Sequence, residues 1–247
     1  MSLNTILNYS PNFELKKRSL KQIKFIIFHY TGMKKESDAI NRLTNIQSEV
    51  SSHYLIKNNG EIVTLVPDLY IAWHAGVSSW KNFKYLNKNS IGIEISNPGH
   101  NFNYKTFSKK QIVSILRLSK FLIKEYKIDQ KNILGHSDIA PNRKKDPGEK
   151  FPWKYLSQNK IGLWHTLKDK ELRKSRKLKT NKVEKDFFFK NLFKIGYPNK
   201  LPKDLNKNKY LRDLTKAFQR RFRQELIDGT IDRECLFISV NLIKKYN

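Results

Sequence analysis

A chain of 247 residues has room for a core of about 150 residues and a smaller companion, and its 38% hydrophobic residues, with 15 Phe and 11 Tyr, exclude a disordered protein. Lys and Arg outnumber Asp and Glu by 49 to 22, a net charge of +27, which favours an anionic partner without choosing among nucleic acid, anionic lipid and an acidic polymer. The cations are mostly lysines, which lack the bidentate fork of base-reading sites; one cysteine, Cys235, excludes an internal disulfide, and no apolar run approaches the ~20 residues that cross a bilayer.

The first residues lack the basic start, apolar stretch and small-residue cleavage site of an export signal, and hold no cysteine for lipidation. The cytoplasm is therefore the default expectation for location, with export by a non-standard route left open. Ile23–Phe28 is a nearly uninterrupted apolar run that predicts a strand buried on both faces, with His29 at its C-terminal end. A polar helix is expected over about 36–48. Tyr54–Lys57 and Glu61–Val66 flank Asn58-Asn59-Gly60 and predict a hairpin. Ser90–Ser96 alternates, with Ile91, Ile93 and Ile95 on one face and Glu94 on the other.

Ser108 and Gln111 form a capping box that opens a helix to Tyr126, with Ile112, Ile115, Leu116, Ser119, Leu122, Ile123 and Tyr126 along one stripe. Ile133-Leu134 predicts a short strand ending at Gly135-His136. Pro141, Pro147 and Gly148 then predict irregular structure, which places His136 and Asp146 on a loop. Nine of the twenty residues 166–185 are Lys or Arg, so this stretch is expected as a solvated linker or surface helix between residues 1–165 and 186–247. Beyond it, Phe187–Lys194, Leu211–Arg223 and Arg233–Lys245 predict three short amphipathic helices.

Catalytic zinc sites take three protein ligands from His, Asp, Glu or Cys and leave a position open. His29, His136 and Asp146, each at or beyond a strand end, are candidates. Spacing alone does not select them, because each of the 6 histidines could equally pack in a core or face solvent.

Local strings narrow the choice. Phe28-His29-Tyr30-Thr31-Gly32, Ser52-His53-Tyr54-Leu55, Ala72-Trp73-His74-Ala75-Gly76, Ile91-Gly92-Ile93-Glu94, and Gly135-His136-Ser137-Asp138-Ile139-Ala140-Pro141 running to Asp146-Pro147-Gly148 follow one another in this order. Over about residues 10–165 the chain thus resembles the type 2 N-acetylmuramoyl-L-alanine amidases, relatives of the animal peptidoglycan recognition proteins. The resemblance implies an α/β fold with a central mixed β-sheet flanked by helices. It implies one zinc ion held by His29, His136 and Asp146, and hydrolysis of the amide between N-acetylmuramic acid, or its 1,6-anhydro form, and L-alanine. Glu94 is then the general base and acid, and Lys144 stabilises the carbonyl oxygen as charge develops there. His53, His74, Trp73 and Tyr30 are assigned to the substrate groove, Trp73 with core packing as the rival reading.

Gly196-Tyr197, Ala217-Phe218-Gln219, Phe222-Arg223 and Ile227-Asp228-Gly229 with Asp232 resemble the helical peptidoglycan-binding domain that follows the catalytic domain in AmiD-type amidases, with a structural three-helix appendage that binds no ligand as the rival reading. The partners implied are bacterial peptidoglycan or soluble anhydro-muropeptides, and no nucleic acid. The rival reading is a protein that holds peptidoglycan without cutting it; an intact ligand set argues for the enzyme. Bare resemblance leaves intact wall against soluble fragments, and oligomeric state, open.

Overall fold

The computed structural model describes residues 3–246. Its centre is a six-stranded mixed sheet built from β1 (Ile6–Leu7), β2 (Phe25–Tyr30), β3 (Tyr54–Ile56), β4 (Ile62–Thr64), β5 (Ser90–Ile95) and β6 (Ile133–Gly135), in the order β1-β4-β3-β5-β2-β6. Neighbours run parallel except the β3–β4 hairpin. The apolar run of β2 lies between β5 and β6, and Phe25, Ile26, Ile27 and Phe28 are all buried, as expected for a strand covered on both faces. The hairpin turns at Gly60, whose φ of +87° suits glycine and where a Cβ would lie 2.9 Å from the Lys110 carbonyl oxygen.

Helix α1 (Glu36–Thr44) and helix α2 (Lys109–Tyr126) flank the sheet. The capping box of α2 forms as expected, with Ser108 Oγ accepting from Gln111 N and Gln111 Oε1 accepting from Ser108 N. Its buried stripe is rotated from the expected one. Leu118 is buried beside Ile115, Ser119 and Leu122, while Ile112, Leu116, Ile123 and Tyr126 pack from the margins. A further departure follows β6. His136–Ile139 is not irregular but a helical turn, α3, because the prolines come after it and Asp138 Oδ2 accepts from Gly135 N at 2.8 Å, capping the turn from within.

After α4 (Trp153–Gln158), the basic stretch holds α5 (Asp169–Ser175), which buries Leu172 and leaves its lysines outside. Then come α6 (Lys182–Ile195), α7 (Lys207–Phe222) and α8 (Arg233–Tyr246). Helices α6 and α8 pack together and share a buried bond from Asn191 to Ser239. Helix α7 faces α3. From it Arg221 reaches under β6, with Nη1 on Asp138 Oδ2 at 2.5 Å and Nη2 on the Ile133 carbonyl at 2.9 Å. Tyr197, after α6, donates to Asp138 Oδ1 at 2.7 Å. Asp138, Tyr197 and Arg221 are each no more than 2% exposed, so the C-terminal helices are tied to the sheet by a dry ionic knot. Among the described residues no helix is long and apolar enough to cross a membrane.

Candidate functional site

The register of the sheet assembles the site. His29 on β2 pairs with Glu94 on β5, and paired residues of parallel strands point to the same face. β6 pairs with β2 so that Gly135 sits opposite Phe28, which delivers His136 beside His29, and the following segment returns Asp146 to both. His29 Nδ1, His136 Nδ1 and Asp146 Oδ2 lie 2.9–3.0 Å from one another, and all three residues are buried.

Hydrogen bonds behind the imidazoles decide which nitrogens face this cluster. Ser90 Oγ donates to the Leu86 carbonyl at 2.6 Å and so accepts from His74 Nε2 at 3.1 Å. That leaves His74 Nδ1 bare to accept from His29 Nε2 at 3.0 Å, and His29 Nδ1 bare toward the cluster. On the other side His136 Nε2 donates to the Ala75 carbonyl at 3.1 Å, so its Nδ1 is bare as well. Two lone pairs and a carboxylate oxygen in van der Waals contact repel unless a positive charge joins them. Two imidazole nitrogens with one carboxylate oxygen are a donor set that fits zinc with a coordination place to spare.

The relay rests on close packing. Asn87 Oδ1 accepts from the backbone N–H of both His74 and Ala75, at 3.1 and 2.7 Å, and the His74 ring lies on Gly92, where a Cβ would come within 2.5–2.7 Å of it.

Burial, then the neighbouring His136, lowers the His29 pKa to about 4. Burial works against ionisation of Asp146, but His136 and His29 hold it well below the usual carboxylate range. Together these leave an unprotonated imidazole and an ionised carboxylate at neutral pH, the state that metal ligation requires. Glu94 behaves in the opposite way. Burial, and secondarily the Asp146 charge, push it up to about 8 against the opposing pull of Lys144, and its Oε2 is buried without a hydrogen-bond partner.

The cluster opens into a cleft of ≈ 420 Å³. Glu94, Lys144, His74, Trp73 and Tyr30 line it, and Met33, Leu43 and Val50 give it an apolar end. Lys144 is half-buried whereas its neighbours Arg143 and Lys145 are exposed. His53 departs from the sequence expectation. It is fully buried and outside the cleft, behind His74, with Nδ1 accepting from Gly92 N at 3.0 Å.

The sequence motifs gave no role to His100, which lines the cleft: its Nε2 donates to Glu149 Oε2 at 3.0 Å and its Nδ1 accepts from the Tyr30 hydroxyl at 2.8 Å. Arg42 and Arg143 also line the cleft. Nothing in their local strings sets these residues apart from the many surface cations.

Comparison with known proteins finds relatives over most of the chain. A family described as N-acetylmuramoyl-L-alanine amidase matches residues 19–149. The N-acetylmuramoyl-L-alanine amidase AmiD of Escherichia coli (strain K12) is 35% identical over 240 residues, spanning 91% of this chain and 84% of that protein. The solved complex of AmiD from E. coli with the substrate anhydro-N-acetylmuramic acid-L-Ala-D-gamma-Glu-L-Lys matches with a TM-score of 0.79 and 32% identity, covering 94% of this chain and 93% of the other. AmpDh3 from Pseudomonas aeruginosa, in complex with anhydromuramic pentapeptide, matches with a TM-score of 0.78 and 30% identity over 100% of this chain and 98% of the other.

Proposed function

The chain belongs to the N-acetylmuramoyl-L-alanine amidase family, and from that premise we propose that it uses zinc to hydrolyse the amide between N-acetylmuramic acid, or 1,6-anhydro-N-acetylmuramic acid, and L-alanine in peptidoglycan fragments. The observation that carries the reading is the meeting of two bare imidazole nitrogens and a carboxylate on the cleft floor, beside a carboxyl group that has no partner. His29, His136 and Asp146 hold the zinc. Bound there, zinc supplies Lewis acidity that makes water a nucleophile near neutral pH and polarises the scissile carbonyl.

Glu94 takes the proton of the attacking water and returns one to the departing alanine amine. Its surroundings support both proton transfers, because a carboxyl raised to about 8 in the protein alone is drawn back toward neutrality by a nearby cation, so acid and base forms are both accessible. The Lys144 ammonium, held half-buried at the cleft wall, stabilises negative charge on the carbonyl oxygen in the tetrahedral state. The ring of Trp73 and the apolar end at Met33, Leu43 and Val50 offer surface to the uncharged part of the substrate.

The test is release of L-Ala-γ-D-Glu-L-Lys from its anhydro-N-acetylmuramic acid conjugate, followed by mass spectrometry. A chelator should abolish release and added zinc restore it, and Glu94→Ala should bind the conjugate without cutting it. Full turnover by protein shown by elemental analysis to be metal-free would refute the mechanism. Binding without cleavage by wild type and variant alike would refute the enzyme.

A further inference from the structure

Beside the cleft lies a second cavity of ≈ 390 Å³, lined in part by Asp213, Lys216 and Arg220 of helix α7. The two spaces share His100 and the run Arg143-Lys144-Lys145. In the second, Lys216 and Arg220 of α7 join that run, and only Glu149 and Asp213 oppose them. Among the described residues no Phe, Tyr or Trp lines it, and the one ring present, His100, is already stacked on Tyr104, so it offers anion affinity more than a stacking surface for a sugar.

Arg220 stands out. The residue is 8% exposed, and its Nε is buried with no hydrogen-bond partner among the described residues. The carboxylate within reach, Glu149, lies 4.0 Å from that nitrogen and already accepts from His100. Arg221 also has a bare Nε, but its terminal nitrogens are matched by Asp138 at 2.5 Å and the Ile133 carbonyl at 2.9 Å, and Arg223 is matched by Asp228 at 2.7 Å and by Asp232. A buried guanidinium without a full partner is costly, and an incoming anion that takes the planar fork removes the cost. Arg220 lines the second cavity together with His100 and Lys144, which also line the cleft, and this puts it on the cleft side of the helix.

We propose that α7 completes an anion subsite beside the cleft, in which Arg220, supported by Lys216, receives a free carboxylate of the stem peptide beyond the scissile bond. The identity of the ligand rests on the amidase reading, in which the sugar side of the bond carries no free carboxylate and the peptide side carries two, on the D-Glu α-carbon and at the C-terminus. The C-terminal helices then select substrate as well as pack against the sheet.

The experiment is calorimetric titration of the zinc-loaded protein with L-Ala-γ-D-Glu-L-Lys, which has no scissile bond, and with its two singly amidated forms, one blocked at the D-Glu α-carboxylate and one at the C-terminus. Arg220→Met should weaken binding of the free tripeptide about tenfold, the scale of one charge-assisted hydrogen-bonded contact. One of the two amidations should cause the same loss in the wild type and no further loss in Arg220→Met, which identifies the carboxylate. Lys216→Ser, at a half-buried position, should weaken binding in the same pattern by a smaller factor without disturbing a buried residue. Equal dissociation constants for wild type and both variants, equal losses whichever group is amidated, or no tripeptide binding by the wild type would overturn the subsite. Arg220-dependent binding by a protein that releases no peptide from the muramic acid conjugate would uphold the subsite and sink the amidase reading, whereas release with no dependence on Arg220 would do the reverse.

Discussion

Replacing Arg221 with Met removes one side of the knot that joins α7 to the turn carrying His136. The side chain of Met fills much of the space of the arginine stem, so the loss is chiefly polar. The ion pair to Asp138 at 2.5 Å, the bond to the Ile133 carbonyl at 2.9 Å and the stacking of the guanidinium 4.2 Å from the Trp153 ring all disappear. Asp138, 1% exposed, keeps its bonds from Gly135 N and Tyr197 but is left as a buried charge without a cation. Removing one partner of such a pair costs about 3–5 kcal/mol, and for a chain of this size each kcal/mol moves the melting temperature by roughly 2–4 °C. A fall of about 6–20 °C in thermal melting is expected. Adding Asp138→Asn to Arg221→Met should recover part of it, because the stranded charge is gone, and the double-mutant cycle should report coupling of at least ~1 kcal/mol. A melting temperature for Arg221→Met within a degree or two of wild type, or strictly additive single effects, would refute the argument.

Three shorter predictions follow from the same geometry. Lys144→Met should lower kcat by about 10²–10³ with little change in KM; a change confined to KM would move Lys144 from transition-state stabilisation to binding. Gly92→Ala drives a methyl into the His74 ring and so disturbs the relay behind His29. Zinc affinity, read by competition with a chromogenic chelator, should fall about 10–100-fold, and unchanged affinity would remove His74 from the relay. Glu94 is held at about 8 against an ordinary value of 4.5, so the folded metal-free protein binds this proton more tightly than the unfolded chain. The resulting stability is fully present below the ordinary value and is lost as pH rises through about 8. Between pH 5 and pH 9 the metal-free wild type should therefore lose more thermal stability than Glu94→Gln; parallel losses would show that Glu94 does not titrate differently on folding.

The strands and the long helix were legible because their signals are local. The apolar run at Ile23–Phe28, the alternation around Glu94 and the Ser108/Gln111 box each lie within a few residues and each sets one face of one element. Side-chain destinations were less so. The string Ser52-His53-Tyr54 says nothing of whether the imidazole meets the cleft or the Gly92 amide behind it, and Leu118 entered the buried stripe because the sheet, not the helix, chooses which flank is covered. The turn at His136 depends on Asp138 serving its own strand end and two distant side chains at once. Arg220 and Arg221 are indistinguishable in a sequence with 49 basic residues; the helix sends one to the cavity wall and the other beneath the sheet.

That adjacency limits how the protein can be re-engineered. Because consecutive positions of α7 line the second cavity and tie down the underside of the His136 turn, the last third of the chain is not a detachable accessory. A chimera that swaps it for a foreign targeting module after residue 165 would strand Asp138 and open one flank of the cleft to solvent. A successful transplant would have to carry Tyr197, Arg220 and Arg221 with it as a set.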